Sequence, residues 1–447
     1  MTTTTQVAGD RHPWVAAARP RGGPRWVQDL RERGASRFAA LGFPTVRDEE
    51  WRFTNVAPVA SAEFQPADAS ALVTEKQLSA LIYGDAPHRL VVVNGRYRPE
   101  LSRLQGLPAA VRAGSLAAAV NGELDVDADI TQRYLGQLAD LATRPFDALN
   151  TARLDDGVFL HIGDGAIIDH PLQVMFVSTG EAAGSGTASH PRLLIVAGAR
   201  SQSRIVETYV GTGARYFVNA VTEVFAGEGA VLDHYKVQED STEAFHIASM
   251  HVHASRHATF SSHSFTLGGR LVRNDAIAIL DGEGAECTLN GLYLADGDRL
   301  VDNHTTIDHA KAHCPSHEIY KGILGGRARA VFNGKIIVRP DAQKTNAKQT
   351  NRALLLSDSA SINTKPQLEI FADDVKCTHG AAIGQIDEDA LFYLRARGLT
   401  YAEARDLLIH AFAGEILDRV QIVPLRDALE RELYAQLARD LAEADAG

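Results

Sequence analysis

The sequence predicts a mainly β chain with a parallel β-helix at its centre, a mixed helical region before it and a helical region after it. Three observations carry this reading. From about Asp155 to Asp374, Val, Ile, Thr, Phe and His alternate with polar residues in short runs broken by Gly, Asn and Asp, and no convincing amphipathic helix interrupts them. A weak repeat opens successive runs: Gly227-Glu-Gly-Ala230, Ser255-Arg-His-Ala258, Gly282-Glu-Gly-Ala285, Gly325-Gly-Arg-Ala328 and Ser357-Asp-Ser-Ala360, its alanines 28, 27, 43 and 32 residues apart. That spacing is too uneven for a strict solenoid and fits one that carries insertions. Hairpin signals are few, and two of them, Asn290-Gly291 and Asn333-Gly334, fall inside the repeats. Stacked coils turn at small residues and bury an aliphatic interior, so a coil is the first reading and a β-sandwich the second. The expected divisions are 1–150, 151–380 and 381–447.

In the first region Trp26, Leu30, Phe38 and Leu41 share a helical face, with Gly42 and Pro44 as the stop. Val111–Asn121 and Thr131–Leu141 read as two further helices. Between them and the first, Leu90–Tyr97 reads as a hairpin turning at Asn94-Gly95. After the β block, Asp387 caps a helix that Gly398 ends, and Thr400-Tyr-Ala-Glu403 forms a capping box. The helix so opened carries Ala404, Leu407, Leu408, Ala411, Phe412, Ile416 and Leu417. Pro424 starts another, with Leu425, Leu429, Leu433, Leu437 and Leu441 in a stripe. Such stripes need a cover, either the chain's own core or a partner subunit.

Composition narrows the function classes. The 447 residues are 45% hydrophobic and 23% charged, as in folded globular chains. A formal charge of -11 argues against nucleic acid as a partner. Three scattered cysteines imply a reducing compartment rather than a disulfide framework. No eighteen-residue apolar run or leader-like h-region occurs, so a soluble cytoplasmic protein with no membrane partner is expected. Gly334-Lys335 leads into Ile336 and not Ser or Thr, so any ATP must be handled by another protein. Gly-x-Ser-x-Gly and His-Glu-x-x-His are both missing.

Metal-binding chemistry has two candidate locations. His304, Asp308, His309, His313, Cys314 and His317 form the densest ligand cluster, and imidazole with thiolate suits zinc or iron. Histidines satisfied in polar ladders would look the same. His251, His253, His257 and His263 read as a solvated strand face. Cys377 and His379 are sharper: two residues apart on a strand, they point to one side. Two ligands cannot complete a four-coordinate site, so the rest come from elsewhere in the chain or from across an interface. A buried Cys with a hydrogen-bonded His is the plain structural alternative.

The runs Lys365-Pro-Gln-Leu-Glu-Ile-Phe-Ala-Asp-Asp-Val-Lys-Cys-Thr-His-Gly-Ala381 and Gly384–Gly398 resemble the SufB/SufD family of iron-sulfur cluster assembly proteins. So do Arg329-Ala-Val-Phe-Asn-Gly-Lys335, His313-Cys-x-Ser-x-Glu-x-Tyr-Lys-Gly322 and Asp48-Glu-Glu-Trp-Arg-Phe-Thr54. Lys-Cys-Thr-His-Gly is similar to the SufD branch. The resemblance implies a right-handed parallel β-helix between helical domains, pairing with SufB through the β-helices. It also implies a C-terminal domain that docks SufC, an ABC-type ATPase. It places His379 toward SufB where the nascent cluster forms, with Cys377 beside it, and gives Leu407, Phe412 and Ile416 a docking role. The implied function is a non-catalytic scaffold that shares a transient iron-sulfur cluster with SufB and serves apo iron-sulfur proteins indirectly. No tightly bound cofactor is expected in the isolated chain. Flavin in the complex and homodimerisation without SufB stay open, and His309, His313, Cys314 and His317 remain second-rank metal candidates. The rival reading is a β-helix enzyme acting on polysaccharide, or a metal-dependent hydrolase using the His304 to His317 cluster.

Overall fold

A computed structural model gives the structure of the protein and describes Trp14 and residues 22–68, 70–79, 81–180, 186–213 and 215–444, excluding the side chains of 128 and 438–444. Its centre is a β-solenoid of about seven turns. Each turn contributes one strand to each of two eleven-stranded sheets, and neighbouring strands along the coil are parallel and in straight register. In the first sheet Phe245, Leu271, Leu300, Arg329 and Ser361 stand in one row. In the second, Thr259 and Glu286 pair, as do Cys287 and Ser316 one place further on.

The corners explain both the repeat and its uneven spacing. Ala230, Ala258 and Ala285 each donate a backbone N–H to the residue three before, closing a turn whose last side chain is buried inside the coil. These three precede strands of the second sheet, whereas Ala328 and Ala360 precede strands of the first. The gap of 43 residues is therefore a change of corner and not an insertion. At the second-sheet corner the series continues through Cys314 and Thr345, both buried in the alanine position. The residue just before the small one is left-handed at all six corners, Arg200, Gly229, His257, Gly284, His313 and Lys344.

Five helices of eight residues or more are described: α1 (Arg25–Leu41), α2 (Pro145–Ala152), α3 (Glu388–Ala396), α4 (Tyr401–Leu417) and α5 (Val423–Ala444). The face of α1 that packs is Val27, Leu30, Gly34 and Phe38, with Trp26 half-buried beside it; Leu30 and Phe38 are as expected, and Leu41 is exposed. Gly34 allows the close approach, because a Cβ there would meet the backbone nitrogen of Ala152 on α2 at 2.6 Å. The expected helix at 111–121 is a strand, Val111–Ser115, followed by one short turn of helix, and that at 131–141 runs Ala128–Tyr134, ending before left-handed Gly136. In the first case Gly114 and Ser115 in a β-compatible run outweigh the alanine content, and in the second Gly136 stops the helix.

The flanking regions clamp the coil from opposite sides. Phe38, Trp51, Val56, Val59 and Phe146 pack on the outer face of the first sheet against Phe217, Phe245, Ile247 and Leu271. On the second sheet, Ile409, Ala413, Ile416 and Leu417 of α4 and Leu425, Leu429, Leu433 and Leu437 of α5 cover Tyr235, Val237, Phe265 and Leu292. The leucine stripe is thus covered by this chain itself; the side chain of Leu441 lies outside the described residues. At the N-terminal end, His88–Val93 adds a parallel strand beside Leu172–Thr179, and its hairpin closes at Asn94-Gly95 as expected. Among the described residues no helix is long and apolar enough to cross a membrane.

Candidate functional site at the open end of the coil

The two sheets end on the strands Ser361–Ile370 and Lys376–Gly384, and among the described residues no further strand pairs beyond them. No residue of Lys376–Gly384 is buried. Here lie Cys377, half-buried, and His379, exposed. They stand opposite Ala347 and Gln349, which are buried, so they continue the inward-facing positions of the coil at the point where its wall stops. Behind them run two columns, Cys287–Ser316–Ala347–Cys377 and Leu289–Glu318–Gln349–His379. Burial raises the Cys377 thiol above its ordinary value, offset in part by a backbone hydrogen bond from Ala347. In the isolated chain the thiol is therefore protonated at neutral pH, a weak ligand until a metal ion or cation displaces the proton. Ile370, Phe371 (62% exposed) and Ile383 are exposed apolar residues at the same end of the coil, Ile383 further along the strand that carries Cys377 and His379.

The second set of expected ligands is dispersed. Cys314 points into the coil, its sulfur donating to the Gly282 and Ala312 carbonyls at 3.3 and 3.4 Å, and burial raises its pKa. His313 is the left-handed residue of the same corner and is exposed. His317 is exposed on the outside, whereas His309 is sealed inside, 3.0 Å from Ser316 Oγ and pushed by burial to about 4, hence neutral. Asp308 is held by Arg339 through two hydrogen bonds, 2.9 and 2.6 Å. Alternation of the strand sends these groups to opposite sides of the wall, and among the described residues no three His, Cys, Asp or Glu side chains gather to hold a metal ion.

The expected solvated histidine face is also corrected. His251 is buried under α2, its Nε2 2.7 Å from Asp147 Oδ2, and His263 is buried against Tyr235 with Asp233 3.4 Å away. Only His253 and His257 keep solvent contact. The N-terminal motif has a comparable anchoring role. Thr54 Oγ1 donates to Asp302 at 2.5 Å, Arg273 donates to the Glu50 carbonyl at 2.5 Å, and its guanidinium lies 4.0 Å from the centre of the Trp51 ring.

Of the three expected docking residues, Leu407 is exposed, Phe412 is half-buried and Ile416 is fully buried in the chain's own core. Lys321 fixes Phe412, with its ammonium 4.5 Å from the ring and donating to the Phe412 carbonyl at 2.8 Å. Ile416 therefore cannot meet a partner. The other exposed aromatic groups of α3 and α4 are Phe392, 74% exposed, and Tyr393 and Tyr401, whose rings lie 4.5 and 5.9 Å from the Arg397 and Arg395 guanidinium groups. Sequence reasoning passed over them, although the run Leu391-Phe-Tyr-Leu394 on one short helix turns more faces than one neighbour can cover; only Leu391 is buried.

Comparison with known proteins agrees with this geometry. The family model described as SUF system FeS cluster assembly, SufBD core domain, matches residues 176–412, and that of the SufBD protein N-terminal region matches 21–174. The chain belongs to the SufBD family. A SufBD family iron-sulfur cluster assembly protein of Synechocystis is 35% identical over 413 residues, covering 90% of this chain and 89% of that one. The iron-sulfur cluster assembly protein SufD of Escherichia coli is 30% identical over 402 residues, 90% of each. SufD of Bacillus subtilis is 24% identical, over 98% of this chain and 99% of its own. Within the SufBD core match lie both the coil and its open end, with Cys377 and His379; the N-terminal match spans α1, α2 and the capping hairpin.

Proposed function

We propose that this SufBD protein is the SufD-like, non-catalytic scaffold of a cytoplasmic iron-sulfur assembly complex. It pairs with a SufB-like paralogue through the open end of its coil and carries a SufC-like ABC-type ATPase on α3 and α4. The observation that carries the reading is the bare terminal turn, where Cys377 and His379 face the same way at the edge of both sheets. A strand edge with free N–H and C=O groups is a template for a further strand, and the exposed Phe371 and Ile383 supply apolar area to bury. The nascent cluster is cargo, held by an incomplete thiolate-imidazole pair that a facing subunit completes, which lets the product leave. ATP-driven movement of the docked ATPases would open and close that interface. Apo iron-sulfur proteins receive the product, and without its paralogue the same end supports a homodimer.

The test is co-expression with a SufB-like and a SufC-like subunit, followed by mass measurement of the purified complex and anaerobic reconstitution with ferrous iron and sulfide. A stable assembly whose cluster absorption is lost in His379→Ala, with subunit stoichiometry unchanged, supports the proposal. Failure of the chain to join either subunit, or full cluster formation in the variant, refutes it.

A further inference from the structure

A cleft of about 490 Å³ lies between the segment 46–53 and the outer face of the first sheet, reaching the sheet's terminal strand at Asn363 and Lys365. Its floor is a register row, His304–Asn333–Lys365, and its walls include Arg47, Glu49, Glu50, Arg52 and Phe53. Most of its charges are already matched. Asp302 accepts from Arg273 at 2.8 Å and lies 3.0 Å from His304 Nε2, while Glu50 is 3.2 Å from His304 Nδ1. Burial alone would lower the His304 pKa, but Asp302 and Glu50 overcome it and raise it. Lys365 donates to Glu49 at 2.7 Å.

Three groups are left over. Asn333 is only 8% exposed, and its buried Oδ1 has no hydrogen-bond partner. Such orphaned groups are rare and mark an unfilled role. Arg47 and Arg52 are exposed on the rim, and neither has an ion pair among the described residues. Two guanidinium groups with planar forks suit a carboxylate or phosphate, and an unpartnered amide oxygen suits a hydroxyl or other donor of such a ligand. The volume is within the range of small-molecule sites.

We propose that this cleft binds a small phosphate- or carboxylate-bearing molecule, with Arg47 and Arg52 engaging the anion and the Asn333 side chain accepting from a donor group of the ligand. The site is built jointly by the N-terminal segment and the coil, so ligand binding ties the two together.

Isothermal titration of the full chain with inorganic phosphate, pyrophosphate and succinate at low ionic strength tests this and separates the two anion chemistries. Saturable binding of at least one probe is expected, weakened at least tenfold in Arg47→Ala/Arg52→Ala and at least threefold in Asn333→Ala. Arg103→Ala, an exposed arginine outside the cleft, should leave affinity within twofold. The double variant changes only exposed side chains, and matching thermal transitions would confirm that it folds. No saturable binding of any probe, or equal affinity in wild type and the double variant, overturns the proposal.

Discussion

The two ends of the solenoid are built from the same kind of strand and treated in opposite ways. At the N-terminal end every residue of His88–Val93 is buried, and the hairpin that follows closes the second sheet. At the other end Lys376–Gly384 has no buried residue and, among the described residues, no strand paired beyond it. Individual buried carboxylates along the coil differ in their partners. Glu223 lies 2.5 Å from Arg192, and the hydrogen bond and charge of His234 outweigh burial to hold Glu207 at about 2. At Glu318 burial outweighs the hydrogen bonds of Thr305 and Gln349, the latter at 2.8 Å, and pushes the carboxyl up to about 7. A coil that closes one end and leaves the other bare reserves the bare end for something outside the chain.

The sharpest break of that comparison is a charge at each end. Val91→Asp, at a fully buried position of the closing strand, should destabilise the fold by about 3–5 kcal/mol in urea unfolding, whereas Ile383→Asp should stay within about 0.5 kcal/mol. Equal losses would mean that the open end is part of the folded core. The second difference is functional. Cys377→Ala and Phe371→Asp should leave the unfolding midpoint unchanged, yet the first should remove cluster formation and the second should weaken paralogue binding at least tenfold, about 1.4 kcal/mol, in a pull-down titration.

A third, smaller contrast concerns α3 and α4. Phe392→Asp should reduce ATPase affinity several-fold without altering stability, while Ile416→Asp should unfold the C-terminal layer; calorimetry with the two variants separates docking from packing. The smallest effect is the pH response. Since Glu318 binds its proton more tightly folded than unfolded, the folded state is favoured at low pH, and stability falls as pH rises from about 4.5 through about 7 before levelling. Glu318→Gln should flatten that decline in denaturation series between pH 5 and 8. Glu239, raised to about 7 by burial and by Glu432, contributes in the same direction.

Much of this was legible in the sequence because it was local. The corner alanines, the Asn94-Gly95 turn, the Thr400 capping box and the Cys377–His379 spacing each depend on a few adjacent residues, and each is present. What could not be read was which layer lies on which face. His251 looks solvated until α2, about a hundred residues earlier, is seen to bring Asp147 onto it. Ile416 and Leu407 share one helix and one apolar character, and only the position of the second sheet decides that the former is core and the latter is free. The gap of 43 residues misled for a similar reason, since a one-dimensional repeat does not say at which of two corners it falls.

The uniform corners have an evolutionary consequence. Because Ala285 and Cys314 occupy the same place one level apart, excising 286–314 would remove a whole storey and leave every remaining strand beside a compatible neighbour. The helical layers do not share that modularity: α5 spans a fixed stretch of the second sheet, and its leucines fit a barrel of one height. The flanking helices thus act as a ruler, setting how tall the molecule can grow.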